Sequence, residues 1–321
     1  MTAFVSAIRV GISACLLGDE VRFDGGHKRD PFLIDTVGPF VDWVKVCPEV
    51  ESGMGTPRES IRLVDDGRLR LVTVRTGVDH TAMMTAWTSR RVRALGAEDL
   101  CGFVVKKDSP SCGMVRVKVY GPPGSTGPAG RQGRGMFTGA LMDAYPHLPV
   151  EEEGRLSDPR LRENFIERVF AYRRVRDLFA PRWTVGDLVA FHTRQKLVLM
   201  AHSPQAYQQM GRLVAQAKGM DREVLRERYL SEFMTALKVM ATPRRHANVL
   251  QHMVGYFTEQ LDAASRAELL QTITDYRLGL LPLIAPVTLV RHFVRLYNVH
   301  YLAGQVYLEP HPRELMLRNH V

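Results

Sequence analysis

The pattern of secondary-structure signals changes near residue 156, and this change constrains the fold more than any other feature of the sequence. Before it, short apolar runs typical of strands alternate with segments of helical periodicity. The strand-like runs are residues 8–12, 43–46, 61–64, 69–74, 101–105 and 114–120. After residue 156 only helical spacing is found. The sequence therefore predicts an α/β domain over residues 1–155, layered on a mostly parallel sheet, and an all-α domain over residues 156–321.

Local signals refine the first half. The Asp65-Asp66-Gly67 sequence between two strand-like runs predicts a hairpin. Residues 79–95 have helical spacing, with Asp79 as the predicted N-cap. Residues 121–135 are rich in glycine and proline and predict a flexible loop.

Helix-start signals divide the second half. Asp158 precedes Pro159, and Ser203 precedes Pro204, each a cap followed by proline at the first helical position. Thr184, with Asp187 three residues on, forms a variant of the capping box. Further helices are predicted over residues 221–240, 243–260, 265–280 and 286–302.

The positive charge is concentrated in the second half. Residues 156–321 contain 23 lysines and arginines against 15 acidic residues, a net charge of +8, whereas residues 1–155 contain 20 against 19. A basic domain attracts polyanions, because counterion release drives phosphate binding. A surface that serves only solubility is the other interpretation. No uncharged apolar run of about 18 residues occurs and the N-terminus is too polar for a secretory leader, so a cytoplasmic protein with no membrane partner is expected.

The chain has four cysteines, at positions 15, 47, 101 and 112, and no Cys-x-x-Cys pair. In a cytoplasmic protein of this size they are not expected to form a disulfide framework. Cys15, Cys47 and Cys112 each lie in a loop that follows a strand-like run, and ligands bind at this edge of an open α/β sheet. Cys101 begins an apolar run and is expected to be a core thiol.

Three thiolates at one sheet edge suit an iron–sulfur cluster or a zinc ion. Cys47 precedes Pro48 and Cys112 precedes Gly113, neighbours that iron–sulfur ligands often have. A [4Fe–4S] cluster with three cysteine ligands leaves one iron open, and an open iron is a Lewis acid with affinity for sulfur. A structural zinc site without its fourth ligand is the alternative.

Several motifs of the first half, in this order, resemble the [4Fe–4S]-dependent thiouracil desulfidase (TudS-like) family. They are Ser13-Ala-Cys-Leu-Leu-Gly18, Val21-Arg-Phe-Asp-Gly25, Cys47-Pro-Glu49, Gly55-Thr-Pro-Arg58 and Lys107-Asp-Ser-Pro-Ser-Cys-Gly113. The second half resembles a helical domain often fused to this family, through residues 196–203 and 307–315. The fused arrangement is similar to the two-domain tRNA 4-thiouridine desulfidases of the RudS type.

The resemblance implies a [4Fe–4S] cluster with three cysteine ligands and one open iron that binds the thiocarbonyl sulfur of the substrate. The implied ligands are Cys15, Cys47 and Cys112. Glu49 matches the family's catalytic glutamate, a general acid and base, and Ser109 matches its catalytic serine. The implied reaction converts 4-thiouridine in tRNA to uridine with release of sulfide, and no nucleotide cofactor is evident.

Other charged residues are weaker candidates for substrate contacts. Arg58, Lys107 and Asp108 are candidates for binding the substrate, although each also fits an ordinary surface charge. Arg244 and Arg245 stand in the first turn of a predicted helix, where the macrodipole disfavours cations, so they are candidates for RNA phosphates. An ion pair with the acids at 151–153 is the alternative. Lys196 is a further candidate for RNA binding.

Three other functions stay open. The chain fits a desulfidase of free thiouracil or thiouridine nucleotides whose helical domain serves stability or dimerisation. A non-catalytic iron–sulfur sensor that binds RNA would need neither Glu49 nor Ser109. A zinc-stabilised RNA-binding protein would contain no iron. A basic domain of this size favours tRNA over a free base, since phosphates supply most non-specific affinity.

Overall fold

The computed structural model describes residues 8–121 and 131–321. The chain divides after Ser157 into two compact units. Eight strands, numbered in chain order, all belong to the first unit. They are β1 (Arg9–Ser13), β2 (Asp42–Val46), β3 (Ile61–Asp65), β4 (Leu69–Thr73), β5 (Leu100–Val105), β6 (Val117–Tyr120), β7 (Arg131–Gly133) and β8 (Val150–Glu152).

The strands form two four-stranded sheets. The first has the order β2-β1-β5-β8 and every neighbouring pair is parallel. Its central strand β5 is buried along its whole length, as expected for a parallel strand covered on both faces. Cys101 lies in this strand with no exposed surface, so the prediction of a core thiol is confirmed.

The second sheet has the order β4-β3-β6-β7. The predicted hairpin is confirmed: β3 and β4 are antiparallel around Asp65-Asp66-Gly67, with Ile61 opposite Thr73 and Asp65 opposite Leu69. Strand β6 pairs parallel with β3, and β7 pairs antiparallel with β6. The predicted loop over 121–135 is therefore wrong for residues 131–133, which are held by the β6 ladder; residues 122–130 lie outside the described part.

The described part of the first unit also contains three α-helices, α1 (Pro48–Glu51), α2 (Thr81–Leu95) and α3 (Met136–Ala144), and a π-helix over Phe32–Val37. Helix α2 begins two residues later than predicted, with His80 rather than Asp79 at the N-cap position. The backbone of Asp79 forms a bridge with Val72, which holds it extended, while its side chain accepts a hydrogen bond from the Thr81 amide at 2.8 Å. An extended backbone is usual for a capping residue, so Asp79 still caps the first turn through its side chain, one residue before the assigned N-cap position.

The second unit contains eight helices within the described residues and no strand, which confirms the predicted all-α class. They are α4 (Pro159–Leu178), α5 (Val185–His202), α6 (Pro204–Ala215), α7 (Arg222–Lys238), α8 (Pro243–Val254), α9 (Ala263–Arg277), α10 (Ile284–Leu296) and α11 (His300–Ala303).

The predicted caps of this unit are confirmed. The side chains of Asp158, Thr184 and Ser203 accept hydrogen bonds from the amides of the following first turn, and Thr184 forms a reciprocal capping box with Asp187. Two predicted helices are too long. Helix α8 ends at Val254 and passes into a 3₁₀ turn, and the segment 286–302 is split into α10 and α11.

A group of charged side chains is buried in the helical unit. Arg318 donates to Glu163 at 2.8 Å and to the Tyr307 carbonyl at 2.6 Å, and the residue is buried. His202 pairs with Glu167 at 3.0 Å. Burial opposes the charged form of His202, but the Glu167 carboxylate outweighs it and raises the pKa of His202. Breaking such a buried pair costs about 3–5 kcal/mol.

None of the helices in the described part of the chain combines the length and the apolar character that crossing a bilayer requires.

Candidate active site

Three cysteines lie beyond the carboxyl ends of neighbouring parallel strands. Cys15 lies in a 3₁₀ turn directly after β1, Cys47 directly after β2, and Cys112 in the turn that follows β5. Because β2, β1 and β5 are adjacent and parallel, their carboxyl ends meet at one edge of the sheet. The sheet therefore brings together thiols that are far apart in sequence.

The three thiols line one cavity of about 320 Å³. Glu49 and Ser109, the two predicted catalytic residues, line the same cavity. The predicted substrate-binding residues also reach it: Arg58, Lys107 and Asp108. The structure thus brings together every site residue that was predicted in the first half of the chain.

The surroundings of the three thiols disfavour their ionised form. In the part of the chain described, no three His, Cys, Asp or Glu side chains are close enough to enclose a single metal ion. Burial, followed by the neighbouring Cys47, raises the pKa of the Cys15 thiol to about 11, while Lys106 and Arg22 act in the opposite direction. Burial also raises the pKa of Cys47 and of Cys112. Ionised thiolates in this cavity would therefore need a positive partner bound among them.

Glu49 is held from two sides. The Arg58 guanidinium forms an ion pair with its Oε2 atom. Its Oε1 atom accepts hydrogen bonds from the Ser111 hydroxyl at 2.6 Å and from the Ser109 hydroxyl at 3.4 Å. Since the partners lie 9 to 62 positions away in the chain, the carboxylate is oriented by tertiary structure alone.

Arg58 is committed to the protein rather than free for a ligand. Its side chain is only 6% exposed, and its Nη1 atom donates to the Gly55 carbonyl at 2.8 Å and to the Val21 carbonyl at 3.1 Å. Together with the ion pair to Glu49, these bonds occupy most of the guanidinium fork. Arg58 is thus a positioning residue for Glu49.

The loop that carries Cys112 is braced by hydrogen bonds of its own. The Ser109 hydroxyl accepts from the Cys112 amide at 3.1 Å, and the Lys106 amide donates to the Ser13 hydroxyl at 3.0 Å. A Cβ at Gly113 would lie 2.4 Å from Cγ2 of Val117, so glycine is required beside the cysteine. The Ser109 hydroxyl thus caps this turn and also lines the cavity.

Two residues of the site were missed by sequence reasoning. Ser111 is fully buried and donates to Glu49, and the Ser13 hydroxyl contacts the Cys112 thiol as well as the Lys106 amide. The only sequence signal is that each serine lies within two positions of a cysteine. A side chain adjacent to a ligand in sequence is often directed away from it, so this signal is weak.

In the helical unit, the predicted RNA-binding residues have different surroundings. Arg244 is exposed. Arg245 is half-buried and its Nη1 atom donates to the His202 carbonyl at 2.8 Å, so it joins the ends of two helices. Lys196 lies over the ring of Tyr301, with Nζ 5.9 Å from the ring centroid. The alternative prediction paired Arg244 and Arg245 with the acids at 151–153. These acids have partners within the first unit: Glu151 pairs with Arg155, Glu152 accepts from the amides of Met114 and Val115, and Glu153 pairs with Lys106.

Comparison with known proteins matches both halves of the chain. Residues 10–153 match the 2-thiouracil desulfurase family, and residues 196–312 match a family described as a protein of unknown function (DUF1722). The uncharacterised protein YbgA of Escherichia coli (strain K12) is 35% identical over 161 residues, which cover 50% of this chain and 95% of YbgA.

The uncharacterised protein YbbK of Bacillus subtilis (strain 168) is 28% identical over 112 residues, covering 32% of this chain and 71% of YbbK. A solved structure, the [4Fe-4S]-dependent thiouracil desulfidase TudS, is 28% identical with a TM-score of 0.40, covering 50% of this chain and 99% of TudS. Through residues 10–153, the chain belongs to the 2-thiouracil desulfurase family. The predicted family and the predicted class, a desulfidase enzyme, are confirmed.

Proposed function

We propose that this chain is a [4Fe–4S]-dependent desulfidase that converts 4-thiouridine in tRNA to uridine and releases sulfide. The observation that carries the proposal is the shared cavity of three thiols, two buried and one half-buried, and one oriented carboxylate at a sheet edge. The family match supports desulfurisation of a thiolated pyrimidine. The solved relative TudS is described as [4Fe-4S]-dependent, which supports the same cofactor here.

The cavity fits a cluster. Three soft thiol ligands around about 320 Å³ suit a group of several atoms. Lys106 and Arg22 favour the thiolate form of Cys15, and a bound cluster would favour it further. We assign the ligands to Cys15, Cys47 and Cys112.

A cluster held by three cysteines supplies one iron without a protein ligand, a Lewis acid that makes sulfur a better leaving group. The remaining chemistry belongs to the protein. In the net reaction a water oxygen replaces sulfur on the pyrimidine carbon: one C–O bond forms, the C–S bond breaks, and sulfide leaves.

Glu49 is the group that moves protons in this reaction. Its carboxylate lies in the cavity wall, where it can accept a proton from the attacking water and return one to the leaving group or the ring. Arg58 and Ser111 hold its two oxygens, so little reorientation is needed at the moment of transfer. General acid–base catalysis of this kind contributes about 10²–10⁴-fold.

Ser109 is the second catalytic residue in this proposal. Its hydroxyl accepts a hydrogen bond from the Cys112 amide and lies 3.4 Å from Glu49. From this position the Ser109 hydroxyl can donate its hydrogen bond to the pyrimidine or to the attacking water instead of to Glu49. Lys107 and Asp108, both exposed at the cavity, are proposed substrate contacts.

The helical unit supports the choice of tRNA over a free base. Residues 158–321 contain 23 lysines and arginines and 15 acidic residues, a net charge of +8. A base stacked within tRNA must leave its stack to reach a cavity, at a cost of a few kcal/mol, and phosphate contacts can offset that cost. We assign RNA contacts to this unit, with Lys196, Arg244 and Arg245 as candidates.

The first test is reconstitution of the cluster under anaerobic conditions. We expect a brown protein with iron and sulfide in equal amounts, and loss of the 4-thiouridine absorbance when it is incubated with bulk tRNA. The Glu49→Gln variant should keep the iron and lose turnover. A colourless zinc protein, or an iron protein in which Glu49→Gln turns over normally, would contradict the proposal.

The second test separates tRNA from free substrates. The rate on tRNA should fall steeply as salt rises, because phosphate contacts release counterions, while the rate on free 4-thiouridine should change little. If free nucleotides react as fast as tRNA at every salt concentration, the helical unit does not serve substrate binding.

A further inference from the structure

One part of the helical unit combines several aromatic rings with one lysine. Five residues make up this part, which we call the tyrosine surface: Lys196 on α5, Tyr207 on α6, His252 on α8, Tyr256 in the 3₁₀ turn after α8, and Tyr301 on α11. They come from separate elements and are brought together only by the packing of the helices.

The rings of the tyrosine surface contact one another. Tyr256 and Tyr301 stack with ring centroids 5.1 Å apart and planes 13° apart. The ring of His252 meets that of Tyr256 edge to face at 5.8 Å. Tyr207 acts electrostatically on Tyr301, so the two side chains share one neighbourhood. The rings of Tyr256, Tyr301 and His252 thus form one contacting group, with Tyr207 in its vicinity.

Buried side chains support these rings from below. Tyr207 stacks on His192, with centroids 5.6 Å apart and planes 9° apart, and His192 is buried. Met253, Val254 and Phe257 on either side of Tyr256 are in the core. The rings therefore stand on a packed base, and little side-chain entropy remains to be lost when a ligand binds.

The three tyrosines of this surface are half-exposed, as Tyr172 and Tyr297 of the same unit also are. Tyr229 and Tyr307 are fully buried, whereas Tyr207, Tyr256 and Tyr301 all keep part of their surface open to solvent. Large rings that could be buried but remain accessible in one group are typical of an interaction surface.

The charge of the surface selects the partner. Lys196 lies over the Tyr301 ring, with Nζ 5.9 Å from its centroid, and its charge also acts on His252. The unit as a whole carries +8. Nucleic-acid bases stack on aromatic rings while the cations contact the phosphates that link them. In a duplex the base faces are already stacked, so rings recognise unpaired nucleotides best.

We propose that the tyrosine surface binds unpaired nucleotides of RNA by stacking bases against the tyrosine rings, with Lys196 contacting the backbone. The inference rests on the proposed function for the identity of the polyanion, and it identifies the part of the helical unit that contacts RNA. It further requires that a loop or a single-stranded end of the RNA, rather than a helical stem, lies on this surface.

The test uses the full-length protein and a fluorescein-labelled single-stranded RNA of about 12 nucleotides, a length in the range of single-strand sites. Binding is measured by anisotropy, without turnover. Tyr301→Leu removes the ring and keeps the apolar bulk, so it should weaken binding about 5- to 150-fold, the effect of one stacked base. Tyr301→Phe keeps the ring and should bind within about threefold of the unchanged protein.

Two controls make the result specific. Arg266→Gln removes a positive charge from an exposed residue of α9 outside the tyrosine surface and should leave the affinity nearly unchanged. Circular dichroism and the melting temperature report whether each variant is folded. A strand containing 2-aminopurine adds a direct signal: its fluorescence should be quenched by stacking in the unchanged protein and in Tyr301→Phe, and recover in folded Tyr301→Leu.

Equal affinity of Tyr301→Leu and the unchanged protein would overturn the proposal, as would equal binding of single-stranded and duplex RNA. If heparin displaces the RNA equally well from the unchanged protein and from Tyr301→Leu, charge alone is responsible for RNA binding and the proposal is wrong. Because binding is measured without catalysis, a protein that binds through Tyr301 but does not desulfurise would refute only the proposed function.

Discussion

Replacing Ser111 by alanine removes the shorter of the two hydroxyl hydrogen bonds that Glu49 accepts, a contact of 2.6 Å. A hydrogen bond to a charged group contributes about 1.5–3 kcal/mol, which corresponds to a factor of about 10 to 150. Arg58 and Ser109 still hold the carboxylate in the variant. We therefore expect kcat/KM for a thiolated uracil substrate to fall about 10- to 50-fold, toward the lower end of that range.

The assay is the initial rate of loss of thiocarbonyl absorbance, measured anaerobically over a range of substrate concentrations. The change should lie mainly in kcat, because Ser111 is fully buried and touches Glu49 rather than the bulk of the cavity. Iron content must be measured in parallel, since the Ser111 hydroxyl also lies 3.6 Å from the Cys112 sulfur. We expect it to equal that of the unchanged protein.

A matched control is available on helix α2. Ser89 carries the same side chain, is exposed, and donates to the Thr85 carbonyl within its own helix at 3.0 Å. Ser89→Ala should leave kcat unchanged. If Ser111→Ala retains both its iron and a kcat within about twofold of the unchanged protein, Ser111 does not position Glu49 and the reasoning fails.

Three further predictions concern the ligands, the arginine partner and the helical unit. The proposed ligands are Cys15, Cys47 and Cys112. Replacing any one of them by alanine should lower the iron content of the reconstituted protein, measured by a colorimetric iron assay. Cys101→Ala should retain the iron. Arg58→Lys loses the fork that joins Glu49 to two carbonyls and should lower kcat/KM about tenfold or more, whereas an unchanged rate would remove its positioning role. Because Glu167 raises the pKa of His202, the histidine's contribution to stability is fully present below about pH 6.5 and is lost as pH rises through the folded-state value. Thermal melts should therefore show stability falling toward alkaline pH. Glu167→Gln should weaken that pH dependence and destabilise the protein by about 3–5 kcal/mol. If the variant keeps the pH profile of the unchanged protein, the pairing does not set this dependence.

Local signals in the sequence were sufficient for much of the fold. The hairpin at 65–67 and the caps at Asp158, Thr184 and Ser203 depend on residues within about four positions, so short-range physics decides them. Local reasoning was wrong where a partner outside the segment intervened. Residues 131–133 were predicted as part of a loop, yet they pair with β6.

The catalytic cavity shows the same division. The motifs around Cys15, Cys47 and Cys112 could be read from the sequence, and the convergence of their loops follows from the adjacency of parallel strands. Ser111 and Arg58 could not be assigned to Glu49 in this way. Their bonds join residues from different loops, and neither loop alone specifies how the other is oriented.

By itself the sequence determined the two classes of secondary structure, most helix starts, the three thiols at strand ends and the excess of positive charge in the second half, because each depends on neighbouring residues or on composition. Only the tertiary structure decided which oxygens and hydroxyls face each other around Glu49, and which rings share a surface beside Lys196. Contacts between side chains distant in sequence depend on the packing of whole elements, and packing distances of a few tenths of an ångström lie beyond what a linear pattern can specify.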